Sequence, residues 1–140
     1  MSQEGKFRLE VVTPARSLVS EMVDEITAPG VEGEFGVLAG HTPFLTELGY
    51  GLLVYRTVNQ MHVIGVRKGF AEVTREKVTV LAEEADFPKE IDIAKAEAEL
   101  AEAEKSIREL SSESKEYIEA KGKIDRALNQ IHLVKGVRHG

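Results

Sequence analysis

The proline at position 88 divides this chain into two parts with different sequence patterns. Before it, apolar and polar residues alternate in short runs separated by glycine and proline, and after it the chain contains no proline. Alternation at every second residue is typical of half-buried strands, whereas apolar spacings of three and four residues are typical of helices. The sequence therefore predicts an α+β protein with a β domain at residues 1–87 and a helical domain at residues 88–140.

The first part is predicted to be an antiparallel β-sandwich. Phe7, Leu9 and Val11 alternate with charged residues, as expected for a strand with one buried face. We expect Gly49-Tyr50-Gly51 to turn the chain between two strands. Two hairpins are also predicted, and their paired runs are 52–58 with 61–66 and 70–74 with 78–82. Short strands at this spacing favour a sandwich over a parallel sheet with crossover helices.

The second part is predicted to be an antiparallel two-helix hairpin. Two apolar seams repeat at spacings of three and four, with Asp92 as the N-cap of the first helix and a serine-rich turn at 111–114 between them. The two seams are Ile93, Ala96, Leu100, Ala103, Ile107, Leu110 and Tyr117, Ala120, Ile124, Ala127, Ile131, Val134. Because alternate positions are alanine, the hairpin is expected to bury little area and to be able to leave its docked position.

A glycine-rich stretch at residues 29–43 interrupts the strand pattern. Its glycines and prolines exclude one continuous strand or helix, so we expect a shaped loop with short extended pieces. Loops held by a rigid scaffold often carry binding residues. The polar members Glu32, Glu34, His41 and Thr42 are therefore candidates for a contact surface.

The composition argues against several classes of function. A formal net charge of -6 argues against nucleic acid as the main partner, and no apolar run approaches the length needed for direct membrane insertion. The chain has no cysteine, and its four histidines show no metal-binding spacing. Glu32 and Glu34 lack an adjacent nucleophile, so no catalytic residues, metal or cofactor are predicted.

Basic residues concentrate at the end of the chain. The predicted contact residues there are Lys121, Lys123, Arg126, Lys135 and Arg138. A basic segment is suited to an acidic partner surface. Alternatively, these residues balance the acidic first helix across the hairpin, which is ordinary at helical seams.

The quoted motifs resemble those of the epsilon subunits of bacterial and chloroplast F-type ATP synthases. The resemblance is carried by residues 29–43, by Phe7 to Pro14, and by Gly69 to Val73 followed by Val78 to Ala82. Ala39 departs from the family, which more often has proline at that position. The order of a strand domain and then a helical hairpin also matches, and the resemblance spans almost the whole chain.

The resemblance implies a non-catalytic central-stalk subunit of a proton-translocating motor. The β-sandwich would join the gamma subunit to the polar loops of the c-ring, with Glu32, Glu34 and His41 near the ring. The hairpin would extend toward the catalytic alpha and beta subunits and inhibit ATP hydrolysis, with the five basic residues meeting acidic surface. The chain would then be peripheral, on the cytoplasmic side of the inner or plasma membrane.

Two further hypotheses stay open at this stage. Some epsilon subunits bind ATP through a motif that here corresponds to Ile91, Asp92 and Lys95, but lysine replaces the family's arginine, and Glu102 occupies the position of a second arginine. Asp92 as a plain N-cap is the alternative interpretation. Independently of the resemblance, the chain fits a ligand-binding β-sandwich that dimerises through a coiled-coil tail.

Overall fold

The computed structural model describes residues 5–139, and the side chains of residues 5–136. The predicted contact residue Arg138 therefore lies on the last helix, but its side chain is outside the described part. The chain separates into two compact units, with the boundary between Phe87 and Pro88. We call the first unit the head and the second unit the arm.

The head contains seven strands within residues 5–87. They are β1 (Phe7–Val12), β2 (Ser17–Val23), β3 (Glu25–Gly30), β4 (Gly33–Leu38), β5 (Phe44–Thr57), β6 (Gln60–Val73) and β7 (Lys77–Asp86). Their order across the sheet is β2-β1-β7-β6-β5-β3-β4. Both predicted hairpins are confirmed, since Thr57 pairs with Gln60 and Val73 pairs with Val78.

One strand pair departs from the predicted antiparallel arrangement. Strand β1 pairs with β7 in parallel, with Leu9 opposite Val78 and Val12 opposite Leu81. All the other pairs are antiparallel. The sandwich prediction is confirmed, but the sheet is mostly and not wholly antiparallel.

The predicted turn at Gly49-Tyr50-Gly51 is wrong, because β5 continues through it for 14 residues. Strand β6 is equally long and carries Lys68 and Gly69 at positive φ, 61° and 132°. A Cβ on Gly69 would overlap the carbonyl oxygen of Leu81, so only glycine fits there. These residues allow the two long strands to bend.

The core of the head consists of fully buried aliphatic side chains from the inner faces of the strands. Its largest members are Leu9, Ile26, Leu48, Leu53, Ile64, Val11, Val23, Val66, Val73, Val78 and Val80. Inner and outer residues alternate along β1 and along residues 67–73 of β6, as the sequence predicted.

The arm begins with a short 3-10 helix at Pro88–Glu90 and continues as α1 (Ile93–Ile107) and α2 (Lys115–His139). The carboxylate of Asp92 accepts a hydrogen bond from the backbone N–H of Lys95 at 3.1 Å, which confirms the predicted N-cap. In the turn, Ser114 caps α2 by accepting from the N–H of Tyr117 at 3.1 Å.

The two predicted seams match the buried residues of the helices at their alanine positions. Ala96, Ala103, Ala120 and Ala127 are buried. Leu110 lies beyond the end of α1 and so falls outside the first helix, contrary to the predicted seam. The fully buried aliphatic residue near the end of α2 is Leu133, one position before the predicted Val134.

Candidate contact surfaces

The glycine-rich stretch is a β-hairpin followed by a loop. Strand β3 ends at Gly30 and pairs with β4, where a Cβ on Gly30 would lie 2.8 Å from the carbonyl oxygen of Gly33. Glu32 lies exposed in the tight turn, and Glu34 lies exposed on β4. The first and last residues of β4 are about 17 Å apart, so the candidate surface runs along this hairpin.

His41 lies in the loop after β4 and is fixed by local contacts. Its Nδ1 is 2.8 Å from the carbonyl oxygen of Thr42, and its ring meets Phe44 edge-on at 5.4 Å between centroids. Phe44 in turn contacts Phe35 of β4 at 5.3 Å. The aromatic pair was missed in the sequence, although Phe35 lies in the same motif as His41 and Phe44 follows it directly.

A second surface was not predicted at all, and it lies on the outer face of the sheet. Phe70 of β6 and Leu81 of β7 are directly opposite each other, and Val12 of β1 is opposite Leu81. Leu45 of β5 lies diagonally beside Phe70. We call these four residues the outer-face patch. Phe70, Leu81 and Leu45 are 53%, 56% and 70% exposed, which is unusual for neighbouring large apolar side chains.

The outer-face patch has a groove and an acidic border. The groove has a volume of about 390 Å³ and is lined mainly by apolar residues, including Val12, Pro14, Phe70 and Leu81. Glu47 is opposite Phe70, and Glu72 is opposite Leu45. An apolar centre with a charged border is the arrangement found in protein interfaces. The sequence signal was the alternation of Phe70 with buried Ala71 and Val73, which puts Phe70 on the solvent face.

Next to this patch, charged side chains pair across β1 and β7. Glu10 contacts Lys77 at 2.9 Å and Arg8 at 3.4 Å. The hydrogen bond from Lys77, with smaller contributions from the charges of Lys77 and Arg8, holds the pKa of Glu10 below its ordinary value. These pairs keep the charged part of the outer face in a fixed arrangement.

The arm has its own groove, which lies between α1 and α2 and has a volume of about 450 Å³. Small Ala103 and Ala120 leave space there. Its charged lining residues are Glu99, Glu102, Glu116, Glu119, Lys123 and Arg126. Because acids outnumber bases, the groove disfavours a triphosphate.

The basic residues predicted as contacts differ in their surroundings. Lys121 pairs with Asp125 one turn further along α2, at 3.3 Å, and Arg126 pairs with Glu99 of α1 at 3.8 Å. Lys123 lines the groove, and Lys135 is exposed. The alternative interpretation was that the basic residues balance the acidic first helix. The contact between Arg126 of α2 and Glu99 of α1 fits that interpretation.

The residues of the candidate ATP motif do what an ordinary helix start requires. Asp92 caps α1, Lys95 is exposed, and Ile91 is half-buried. Glu102 lines the acidic groove.

Among the side chains of residues 5–136, no three of the His, Cys, Asp and Glu types come together as a metal site. His62 stacks on Tyr55 at 4.6 Å, with its Nε2 2.9 Å from the hydroxyl of Thr57. No helix in the described part of the chain is long and apolar enough to cross a bilayer.

Comparison with known proteins connects both units to one family. Residues 6–88 match the β-sandwich domain of the ATP synthase delta/epsilon chain, and residues 89–135 match the long α-helix domain of the same chain. The chain is 44% identical to the ATP synthase epsilon chain 2 of Syntrophotalea carbinolica and 46% identical to the ATP synthase epsilon chain of Geobacter metallireducens. Each alignment covers 91% of this chain and 93% of the relative.

Solved structures give the same result for the fold. A chain of the Euglena gracilis mitochondrial ATP synthase, in a structure of OSCP/F1/c-ring, matches with a TM-score of 0.78 and 26% identity over 96% of this chain and 82% of that chain. A chain of the Tetrahymena thermophila mitochondrial ATP synthase central stalk/c-ring structure matches with a TM-score of 0.55 and 14% identity over 94% and 96% of the two chains, which supports the fold alone.

A β-sandwich followed by two packed helices, matched by both domain families along nearly the whole chain, defines a delta/epsilon-type ATP synthase subunit. The chain belongs to the epsilon-chain family of F-type ATP synthases, with bacterial relatives at about 44% identity. It is a non-catalytic stalk subunit of the complex that couples ATP synthesis to proton transport.

Proposed function

We propose that the head couples the gamma subunit to the c-ring and that the arm inhibits ATP hydrolysis. The observation that supports the first part is the outer-face patch. A stalk subunit that turns with a rotor needs an interface that persists under load, and apolar burial provides most of the binding energy in such an interface.

The outer-face patch is assigned to gamma because of its chemistry. Phe70 and Leu81 offer a continuous apolar centre across two strands, with Glu47 and Glu72 at its border. The matching surface on gamma would therefore be apolar and bordered by lysine or arginine. Border charges set orientation and association rate, whereas the apolar centre slows dissociation.

The gamma assignment is tested by measuring the affinity of the full chain for gamma. Phe70→Asp introduces a charge at the centre of the patch and should weaken binding by about 100-fold, or roughly 3 kcal/mol. Met61→Asp makes the same change at another exposed apolar position, 61% exposed, and should leave binding unchanged. An equal loss of affinity in both variants, or no loss in either, would rule out the assignment of the outer-face patch to gamma.

The c-ring contact is assigned to the β3–β4 hairpin and the loop that follows it. Glu32 and Glu34 are exposed there, and His41 is held by Phe44. Because the chain has no cysteine, Glu32→Cys supplies a unique thiol for cross-linking to cysteines in the ring loops. Glu76→Cys, in the turn after β6, is the matched control. Cross-links at both positions would mean that the hairpin is not the specific contact.

The arm is proposed as the inhibitory element because its packing is light and its second helix is basic. The proposed contacts with the catalytic alpha and beta subunits are Lys121, Lys123, Arg126, Lys135 and Arg138. Removing residues 90–140 should relieve suppression of ATP hydrolysis and leave gamma binding intact. If the shortened chain still inhibits fully, the arm is not the inhibitor.

A charge reversal separates the basic contacts from general effects of the arm. Lys135→Glu should weaken inhibition by about tenfold, because a like charge would face an acidic surface. Lys115→Glu, at the start of α2, makes the same change outside the proposed contact set. Equal effects of the two variants would favour charge balance within the hairpin as the role of these residues.

The proposed location of the chain follows from this assembly. As a partner of gamma and of the polar ring loops, it would be peripheral on the cytoplasmic side of the membrane.

ATP sensing by the arm is tested by titration with millimolar ATP while hairpin compactness is followed. A compaction that requires Asp92 and Lys95 would establish the site, and no change would exclude a physiological sensor.

A further inference from the structure

The last residues of the head, 84–87, are held by two arginines that lie far from them in the sequence. The first is Arg67 of β6, whose side chain is only 4% exposed. Its Nε is 2.9 Å from Oε1 of Glu84, and its Nη2 is 2.5 Å from Oδ2 of Asp86. A planar guanidinium suits such double contacts because its donors point in fixed directions. Arg67 therefore ties the end of β7 to β6.

The second arginine, Arg16, contacts the other two residues of this segment, Ala85 and Phe87. Nη2 of Arg16 donates to the carbonyl oxygen of Ala85 at 3.3 Å. The guanidinium carbon of Arg16 also lies 6.0 Å from the ring centroid of Phe87, within the range of a cation–π contact. Phe87 itself packs against the core of the head. Between them, the two arginines contact each residue of the segment 84–87.

Arg16 projects from a turn that is itself well fixed. The backbone N–H of Thr13 donates to the carbonyl oxygen of Arg16 at 2.8 Å, and the hydroxyl of Thr13 accepts from the N–H groups of Ala15 and Arg16 at 3.2 Å each. Thr13 is buried. The turn can therefore act as a rigid support for the guanidinium.

The residues immediately after Phe87 make contacts within the arm. The 3-10 helix Pro88–Glu90 contacts α2 and so belongs to the arm. The N–H of Ile91 bonds to the carbonyl oxygen of Pro88 at 3.1 Å, which is a local contact. The boundary between the head and the arm thus coincides with the end of the segment that the two arginines hold.

We propose that Arg16 and Arg67 form a clamp that fixes the head side of the hinge. When the arm moves, the chain pivots between Phe87 and Pro88, and the end of β7 does not peel from the sheet. The clamp thereby limits the range of positions that the arm occupies. The proposal rests on the proposed function to the extent that it requires an arm that moves relative to the head.

The test measures the range of arm positions in the isolated full chain. Spin labels are placed on Glu76→Cys in the head and Glu97→Cys in the arm, which is possible because the chain has no other cysteine. Arg16→Ala should broaden the label-to-label distance distribution at least twofold and raise amide exchange at residues 85–87 by about tenfold. Arg75→Ala, an exposed arginine of the turn after β6, should leave both unchanged.

A conservative variant separates clamping from general stability. Arg16→Lys keeps the charge without the planar fork, so it should give an intermediate distance distribution. If Arg16→Ala raises exchange at 85–87 and the distance distribution stays as narrow as before, the contacts are structural support only and the clamp is refuted. Unchanged exchange would refute it as well.

Arg67→Lys is the second variant in this experiment. The folding of this variant is checked by the exchange of core amides such as that of Leu53. Because distances are measured without gamma or the catalytic subunits, the result does not depend on whether the arm inhibits hydrolysis. Loss of inhibition in the assembled complex with an unchanged distance distribution would count against the proposed function of the basic residues and not against the clamp.

Discussion

The head and the arm differ in the size of the side chains that pack inside each of them. At the centre of the head, leucines, isoleucines and valines from both layers are fully buried. Among the described residues of the arm, four of the six buried side chains are alanines, at Ala96, Ala103, Ala120 and Ala127, and the other two are Asn129 and Leu133. A fully buried leucine or isoleucine contributes about 1.5–3 kcal/mol, and each methylene that alanine lacks forgoes about 0.8 kcal/mol.

This difference indicates which part of the chain can rearrange without unfolding the rest. The groove of about 450 Å³ between the helices lies beside Ala103 and Ala120, so the loose packing is located at the turn end of the hairpin. Elements that move are drawn from the less stable parts of a protein. From this packing we predict that the arm can rearrange while the head keeps its structure.

The largest expected effect comes from a cavity in the head. Leu53→Ala at a fully buried position should lower the free energy of unfolding of the head by about 3 kcal/mol, because the cavity cannot collapse in a close-packed core. Leu100→Ala at a half-buried seam position should lower that of the arm by about 1 kcal/mol. Denaturant unfolding with hydrogen exchange distinguishes the two units. Equal losses would contradict the comparison.

Two glycines should respond to alanine with opposite signs. Gly69→Ala should destabilise the head by about 2 kcal/mol, because φ is +132° and the new Cβ would overlap Leu81. Gly122→Ala should stabilise the arm by about 1 kcal/mol, because that Cβ meets nothing within 4 Å and alanine favours helix. Thermal unfolding followed by circular dichroism measures both. A stabilised Gly69→Ala would mean that β6 does not bend as described.

Filling the arm groove should tighten the hairpin. Ala103→Leu adds buried apolar volume beside Ala120 and should stabilise the arm by about 1 kcal/mol. The same substitution at exposed Ala101 is the control. Amide exchange in α1 and α2 provides the measurement, and a faster exchange in Ala103→Leu would show that the seam is already full.

The smallest effect concerns acid stability of the head. Lys6 donates to Asp24 at 2.7 Å and, with Arg56 at 3.5 Å, holds the pKa of Asp24 below its ordinary value. The stabilisation is present above the unfolded pKa, near pH 4, and is lost as pH falls through the folded pKa. Asp24→Asn should remove this part of the pH dependence between about pH 2 and 5, and Glu34→Gln should not. Identical acid unfolding curves for Asp24→Asn and the unmodified chain would exclude the effect.

Local patterns in the sequence predicted most of the strands and helices. They did not predict which strands pair when those strands are far apart in the chain. The hairpin at Val73 and Val78 and the cap at Asp92 depend on neighbouring residues, so both were predicted. The parallel pairing of Val12 with Leu81 joins residues far apart in sequence, and no local period encodes it. The bend in β5 resembles a turn because glycine permits both.

The same distinction explains what was missed at the contact surfaces. Glu32, Glu34 and His41 were named because their motif is unusual, and the structure adds the aromatic support of Phe44. The outer-face patch combines residues from four strands, and its existence depends on the strand order. Exposed apolar residues become a surface only when the topology places them side by side.

The central claim is that a tightly packed head carries a loosely packed arm, and native-state amide exchange of the full chain measures this directly. We predict that amides in α1 and α2 exchange at least about 100-fold faster than those of the head core at Leu53 and Ile64, with separate opening of the two units. Equal protection of both units, lost in a single cooperative opening, would contradict the account.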